Sequence, residues 1–231
     1  MRLQNRLYIF QSDHIFIAFT YFILRKVIGI FIRLFFVKSV NGIQNIPLRG
    51  SSIVVFNHQS YMDFLCFASV APRNIHFLSA EKFFDHKLWR ILMVLTGQIK
   101  VDRFLHDKSI SYKAVSDHIS KGKIIGIFPE GTRSPHENFM LKFYNGAIKF
   151  ALHHRVSIVP VGIVGTFAIW PKHIKFPKIK KIVEINIGKP MMFFEHYGKQ
   201  DDNELCSNIM KKVVKEIELL SGKKYQHYEN K

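Results

Sequence analysis

From about residue 45 onward, short apolar runs alternate with longer stretches whose apolar positions recur at helical spacing. "SIVVF" (52–56) is an unbroken apolar run of strand length and reads as a buried strand. "SYMDFLCFASV" (60–70) reads as a helix, "IHFLSA" (75–80) as a strand and "DHKLWRILMVLTG" (85–97) as a helix that stops at Gly97. A further helix is expected over 108–122, with Ile110, Ala114, His118 and Ile119 on one face and Gly122 as its stop. "KIIGIFP" (123–129), "VSIVPVGIVG" (156–165) and "IVEINIG" (182–188) read as strands, and "YNGAIKFALHH" (144–154) as a helix. Pro160 removes a ladder donor from its strand, which predicts an edge position or a bulge. The stretch 203–220 is amphipathic through Leu205, Ile209, Val213 and Ile217. Strands and helices in alternation predict an α/β fold with a largely parallel central sheet flanked by helices.

The first forty residues follow another pattern. "HIFIAFTYFILRKVIGIFIRLFFVKSV" is intensely apolar but is interrupted by Arg25, Lys26, Arg33 and Lys38. A spanning helix needs ~20 consecutive apolar residues, and no uninterrupted run here reaches that length. No small-residue cleavage site follows, so a cleaved signal peptide does not fit. A tilted spanning helix stays open. The preferred reading is one or two helices lying in the membrane interface, with the basic side chains reaching the headgroups. The chain is thus read as an apolar, basic, membrane-associated region (1–44), one α/β domain ending in the amphipathic helix (45–222), and a polar tail (223–231).

Charge sharpens this picture. Lys and Arg number 34 against 17 acidic residues in the 231, a formal net charge of +17. Such a balance fits an anionic partner: a membrane surface, nucleic acid or an acidic protein. The 22 Phe, many near the N-terminus, favour a membrane over nucleic acid. With 48% hydrophobic residues, global disorder is excluded. Cys66 and Cys206 have no metal-ligand spacing; Cys66 sits in an apolar run and reads as a small core residue.

Four blocks carry candidate chemistry. "NHQSYMD" (57–63) follows the first strand. Ser60 and Asp63 have the spacing of a capping box, in which Asp63 would serve only the backbone. On one continuous helix, five residues turn ~500°, leaving His58 and Asp63 ~140° apart. With His58 in the turn and Asp63 in the first helical turn, the carboxylate can reach the ring. It would then fix the tautomer and leave the other nitrogen as a base. "FPEGTRS" (128–134) also follows a strand, at the edge where open α/β sheets bind ligands. There Gly131 permits close backbone approach, Arg133 is a forked cation suited to phosphate, and Glu130 can accept from hydroxyls. "GQIKVDR" (97–103) adds Arg103, and "IVPVGI" (158–163) carries Pro160. Alone, the last two say little.

In this order the four blocks resemble the 1-acylglycerol-3-phosphate (lysophosphatidic acid) acyltransferase family of glycerophospholipid acyltransferases. The N-H-x-S-x-x-D motif is matched by Asn57, His58, Ser60 and Asp63, and F-P-E-G-T-R-S by Phe128 to Ser134. G-x-I-x-x-x-R is matched by Gly97, Ile99 and Arg103, and V-P-V by Val159 to Val161. The resemblance implies acyl transfer from a thioester to the sn-2 hydroxyl of 1-acylglycerol-3-phosphate, giving phosphatidic acid. His58 would be the general base and Asp63 its orienting carboxylate. Arg103, Glu130, Gly131, Thr132 and Arg133 would bind substrate, and Asn57, Ser60 and Pro160 would support them. No cofactor or metal is implied; acyl-coenzyme A or acyl carrier protein would be co-substrate. The implied place is a membrane, on the cytoplasmic face of the inner membrane if the source is bacterial, with no nucleic-acid partner. Two alternatives remain: a sibling enzyme acylating glycerol-3-phosphate, another lysophospholipid or a lyso-aminolipid, and a non-catalytic basic binding protein. A thioester donor makes an enzyme nucleophile unnecessary, and the sequence agrees, since no G-x-S-x-G elbow occurs and neither cysteine lies in a motif.

Overall fold

Every side chain of "SIVVF" is buried, and the run is the middle strand of a seven-stranded sheet. The computed structural model describes residues 14–85, 87–101 and 109–228. In chain order the elements are α1 (His14–Phe35), β1 (Val37–Asn41), β2 (Ser52–Phe56), α2 (Met62–Val70), β3 (Ile75–Ala80), α3 (Lys82–Asp85), α4 (Lys87–Leu95), β4 (Ile99–Val101) and α5 (Ser109–Ser120). They continue with β5 (Ile124–Ile127), β6 (Phe139–Met140), α6 (Gly146–His154), β7 (Ser157–Val164), α7 (Thr166–Ile169), β8 (Val183–Ile187), α8 (Asn203–Ser221) and β9 (Lys224–Tyr225). The large sheet runs β1-β8-β7-β2-β5-β3-β4, and only the β7–β8 pair is antiparallel.

The period of two along each strand divides the core between the faces. Ile53 and Val55 point to the side covered by α5, α6 and α8, where Val115, Ile148 and Val213 meet them. Val54 and Phe56 point to the side covered by α1 and α2, beside Ile32, Met62, Cys66 and Phe67. Burying each large apolar side chain contributes roughly 1.5–3 kcal/mol. Gly126 of β5 is set by this packing, because a Cβ there would lie 2.5 Å from the Phe77 ring.

Two expectations need correction, and for Pro160 the second of the two expected settings, a bulge, is the one found. Pro160 lies in a central strand, paired with Val55 of β2, and not at an edge. On its other side the β8 ladder starts at Val161↔Ile187, and the next bridge is Ile158↔Met191. Three steps on β7 therefore face four on the partner, so the missing N–H falls at a bulge. The sheet begins at Val37, inside the stretch assigned to the N-terminal region, because β1 pairs with β8. The tail is not simply polar solvent-facing chain. Lys223 and Tyr225 are buried, and β9 pairs with β6.

In α1, Ile32 is buried against the core, whereas Phe22, Val27, Ile30, Phe31 and Leu34 are exposed. Among the described residues, no helix is long and apolar enough to cross a membrane.

Candidate active site

β2 and β5 are adjacent and parallel, with Val55 opposite Ile127, so the loops following them leave the same sheet edge side by side. That register brings the His58 and Glu130 blocks together. Asn57 fixes the first loop against β7. Its carboxamide donates to the Ile163 carbonyl at 2.9 Å and accepts from the Ile163 N–H at 2.8 Å.

His58 lies in the turn and Asp63 in the first turn of α2. The His58 Nδ1–H donates to Asp63 Oδ2 at 2.8 Å. The same oxygen accepts from the N–H groups of Gln59 and Ser60, at 2.8 and 2.9 Å. Ser60 Oγ accepts from Met62 N–H and donates to the Trp170 carbonyl. The capping contacts and the His–Asp pair thus coexist. Three donors converge on a carboxylate that is wholly buried, which holds it in place. The His58 side chain is 15% exposed, and its ring stacks on Phe128 with centroids 4.1 Å apart. Its Nε2 has no hydrogen-bond partner among the described residues, so with Nδ1 protonated that nitrogen keeps a free lone pair.

Glu130, expected to meet substrate hydroxyls, is 3% exposed and faces inward. Oε1 accepts from His58 N–H at 2.6 Å and Oε2 from Leu141 N–H at 2.8 Å. It ties the two loops together beneath the histidine. Burial pushes its pKa up to about 8; the two N–H bonds and Lys223 act in the opposite direction. A second tie runs from Ser134 N–H to the His58 carbonyl at 2.7 Å. Gly131 has φ 68°, a left-handed turn conformation that glycine adopts without strain, and it faces the same opening as His58. Thr132 is exposed beside it. The Arg133 guanidinium lies 3.6 Å from the centre of the Tyr61 ring, half-buried at the rim. Arg103 lies outside the described residues. Pro160 stands deeper in the sheet, three residues before the Ile163 that Asn57 grips.

His58 and Gly131 open onto an apolar groove. Its walls come from α1 (Ile28, Ile32), α2 (Phe64, Leu65), β3 (Phe77, Leu78) and α4 (Trp89, Leu92). Its apolar lining suits a long hydrocarbon chain.

Sequence reasoning missed three residues here. Gln59 is buried and donates from Nε2 to the carbonyls of His136 and Glu137. Trp170 packs on Tyr61 with centroids 5.4 Å apart. Lys223 is buried and donates from Nζ to the Glu137 carbonyl at 2.7 Å. Burial lowers its basicity, while Asp63, Glu137 and Glu130 raise it. Gln59 stood inside the first motif, but nothing in a run of polar residues marks Lys223 as a buried counter-charge.

Residues 38–164, more than half of the chain, match the profile of the Acyltransferase family. The chain belongs to the acyltransferase family. Among similar relatives is the chloroplastic 1-acyl-sn-glycerol-3-phosphate acyltransferase BAT2 of Brassica napus, 27% identical over 205 residues, 88% of this chain and 57% of that protein. The 1-acyl-sn-glycerol-3-phosphate acyltransferase of Borreliella burgdorferi is 28% identical over 187 residues, covering 78% of this chain and 72% of its own. The chain spans little more than half the length of the plant relatives. In fold, this acyltransferase is similar to the crystal structure of the 1-acyl-sn-glycerophosphate acyltransferase PlsC from Thermotoga maritima. The TM-score is 0.66 at 24% identity, covering 89% of this chain and 87% of the other.

Proposed function

We propose that the protein moves a fatty acyl group from a thioester to the sn-2 hydroxyl of 1-acylglycerol-3-phosphate, giving phosphatidic acid. The observation that carries this is the buried-carboxylate His58–Asp63 pair, 2.8 Å long, at the mouth of the apolar groove. The acceptor hydroxyl is a weak nucleophile until a base takes its proton. His58 Nε2 takes it as the hydroxyl oxygen attacks the thioester carbonyl carbon, and Asp63 stabilises the imidazolium. The tetrahedral intermediate then collapses. The carbon–sulfur bond breaks, and the proton passes from His58 to the departing thiolate. A thioester needs no enzyme nucleophile, and burial pushes the Cys66 thiol up, away from the reactive thiolate form. General-base catalysis contributes roughly 10²–10⁴-fold, and holding the hydroxyl against the thioester contributes much of the rest.

An acyl chain in the groove would place its carbonyl near His58. Arg133, braced on Tyr61, is the candidate to hold the phosphate, joined by Arg103. Glu130 acts in this reading as a strut that sets the His58 backbone, and Gly131 and Thr132 border the acceptor. The donor is acyl-coenzyme A or an acyl carrier protein. The exposed apolar residues of α1 and the surplus of basic side chains favour work at an anionic bilayer, on the cytoplasmic face in a bacterial cell. Each buried CH₂ is worth ~0.8 kcal/mol, so lifting a palmitoyl-sized chain into water would cost on the order of ten kcal/mol.

The test is a panel of acceptors offered to the purified protein with palmitoyl-coenzyme A, the products read by mass. Phosphatidic acid formed fastest from lysophosphatidate is expected. Faster turnover of glycerol-3-phosphate or a lyso-aminolipid would overturn the acceptor assignment.

A further inference from the structure

Between α7 and β8 the chain runs through "WPKHIKFPKIKKI" (170–182), where residues 172–182 are all exposed. Five lysines occur there, Lys172, Lys175, Lys178, Lys180 and Lys181, with no acidic residue among them. None makes an ion pair among the described residues. Large apolar side chains alternate with them. Phe176 is 71% exposed and Ile179 66%, and Ile174 is also exposed. Lys175 Nζ lies over the Phe176 ring, 5.5 Å from its centre. Water is a poor solvent for such side chains, and exposed apolar groups set among cations that lack a carboxylate partner mark a docking surface.

The segment is held at both ends. Trp170 accepts from Ser60 Oγ through its carbonyl and donates from its indole N–H to the Ile174 carbonyl, while Lys178 N–H donates to Ile169. One end therefore stands beside the His58 block. At the other end Val183 N–H donates to the Phe36 carbonyl, directly after α1. The exposed Phe31, Leu34 and Phe35 of α1 lie next to where the segment rejoins the sheet. The C-terminal end of α1 and the C-terminal end of this segment are thus neighbours at the β1–β8 edge of the sheet.

We propose that residues 171–182 form a second membrane-docking element, inserting Ile174, Phe176 and Ile179 among the headgroups of an anionic lipid surface while the lysines pair with lipid phosphates. The element rests on the reading that this enzyme works at a bilayer, and it names the surface that faces the lipid beside α1. Nucleic acid would also attract the lysines, but aliphatic Ile174 and Ile179 offer no ring for base stacking, whereas all three apolar side chains suit lipid. Each lysine near an anionic surface strengthens partitioning up to roughly fivefold.

The test uses the full chain with an environment-sensitive fluorophore on a cysteine placed at position 176 (F176C); Cys66 and Cys206 are buried. A control carries it at Leu219 (L219C), 80% exposed on α8 at the other face of the sheet. Vesicles of phosphatidylcholine with phosphatidylglycerol should blue-shift the probe at 176 and leave it unchanged at 219. Replacing Lys175, Lys178 and Lys180 by Gln should lower vesicle partitioning at least tenfold, and up to roughly a hundredfold. Vesicle binding with no shift at 176 would assign docking to α1 alone and overturn the proposal. An equal shift with RNA in place of vesicles would overturn it too. Because the readout is binding, a protein that docks in this way yet acylates no lysophosphatidate would refute the proposed reaction and leave the docking element standing.

Discussion

Asp63 Oδ2 accepts three hydrogen bonds at once, two from backbone amides and one from His58. The capping-box spacing and the His–Asp spacing were both legible in "NHQSYMD", and they looked like rivals. They are compatible because the turn carrying His58 folds back over the first turn of α2, an arrangement set by the strand that precedes it. The role of Glu130 was not legible. A glutamate after a strand reads equally well as a substrate ligand or as a strut, and only the position of Leu141, eleven residues on, decides that its oxygens face inward. Arg133 shows the opposite case, since its fork was expected to matter but its support by Tyr61 was invisible in sequence. Replacing Arg133 by Lys keeps the charge but loses both the planar stack and the bidentate fork. Steady-state kinetics should show a raised KM for the lysolipid acceptor with the acyl-donor KM little changed. Equal changes in the two would remove Arg133 from the acceptor site.

Among the elements, those with strong period survived translation from sequence to fold. β2, α2, β5, α6, β7 and α8 lie within about two residues of their expected bounds. The short ones did not: β4 has three residues and β6 and β9 two each, too few for any period to declare itself. β1 was hidden because its residues continue the apolar N-terminal run and pair with β8, more than 140 positions away. β3 carries a further consequence. His76 is 4% exposed and its Nδ1 bonds the Gly97 carbonyl at 2.7 Å. Burial pulls its pKa from 6.5 to about 4, and the nearby His118, Lys123 and Arg73 pull the same way. The unfolded chain therefore takes up a proton that the native state refuses. The contribution is fully present above pH 6.5 and is lost as pH falls toward 4, by on the order of 3 kcal/mol. Urea unfolding at about pH 7 and about pH 5 should show a marked loss of stability in the parent and a smaller one in His76→Gln. Equal losses in both proteins would mean that His76 is not the group responsible.

At the scale of the whole molecule, the sheet places two motifs some seventy residues apart on one edge, and the N-terminal helix closes one wall of the groove beside them. The α/β class and the parallel sheet were legible from alternation alone, whereas the groove was not, because it is assembled from α1, α2, β3 and α4 and belongs to no single stretch. Its apolar lining and the exposed face of α1 favour one task, bringing a lipid chain and a polar headgroup to His58. The central claim is that His58 acts as a base oriented by Asp63. Asp63→Asn tests it most directly, because the amide oxygen can still accept from the backbone N–H groups of Gln59 and Ser60 while no negative charge stabilises the imidazolium. The measurement is the initial rate of free-thiol release from palmitoyl-coenzyme A in the presence of lysophosphatidate, taken beside the melting temperature. The expected result is a rate reduced roughly 10²–10⁴-fold with the melting temperature nearly that of the parent. A folded Asp63→Asn protein that releases thiol at the parental rate would contradict it, and would leave Asp63 as a helix cap.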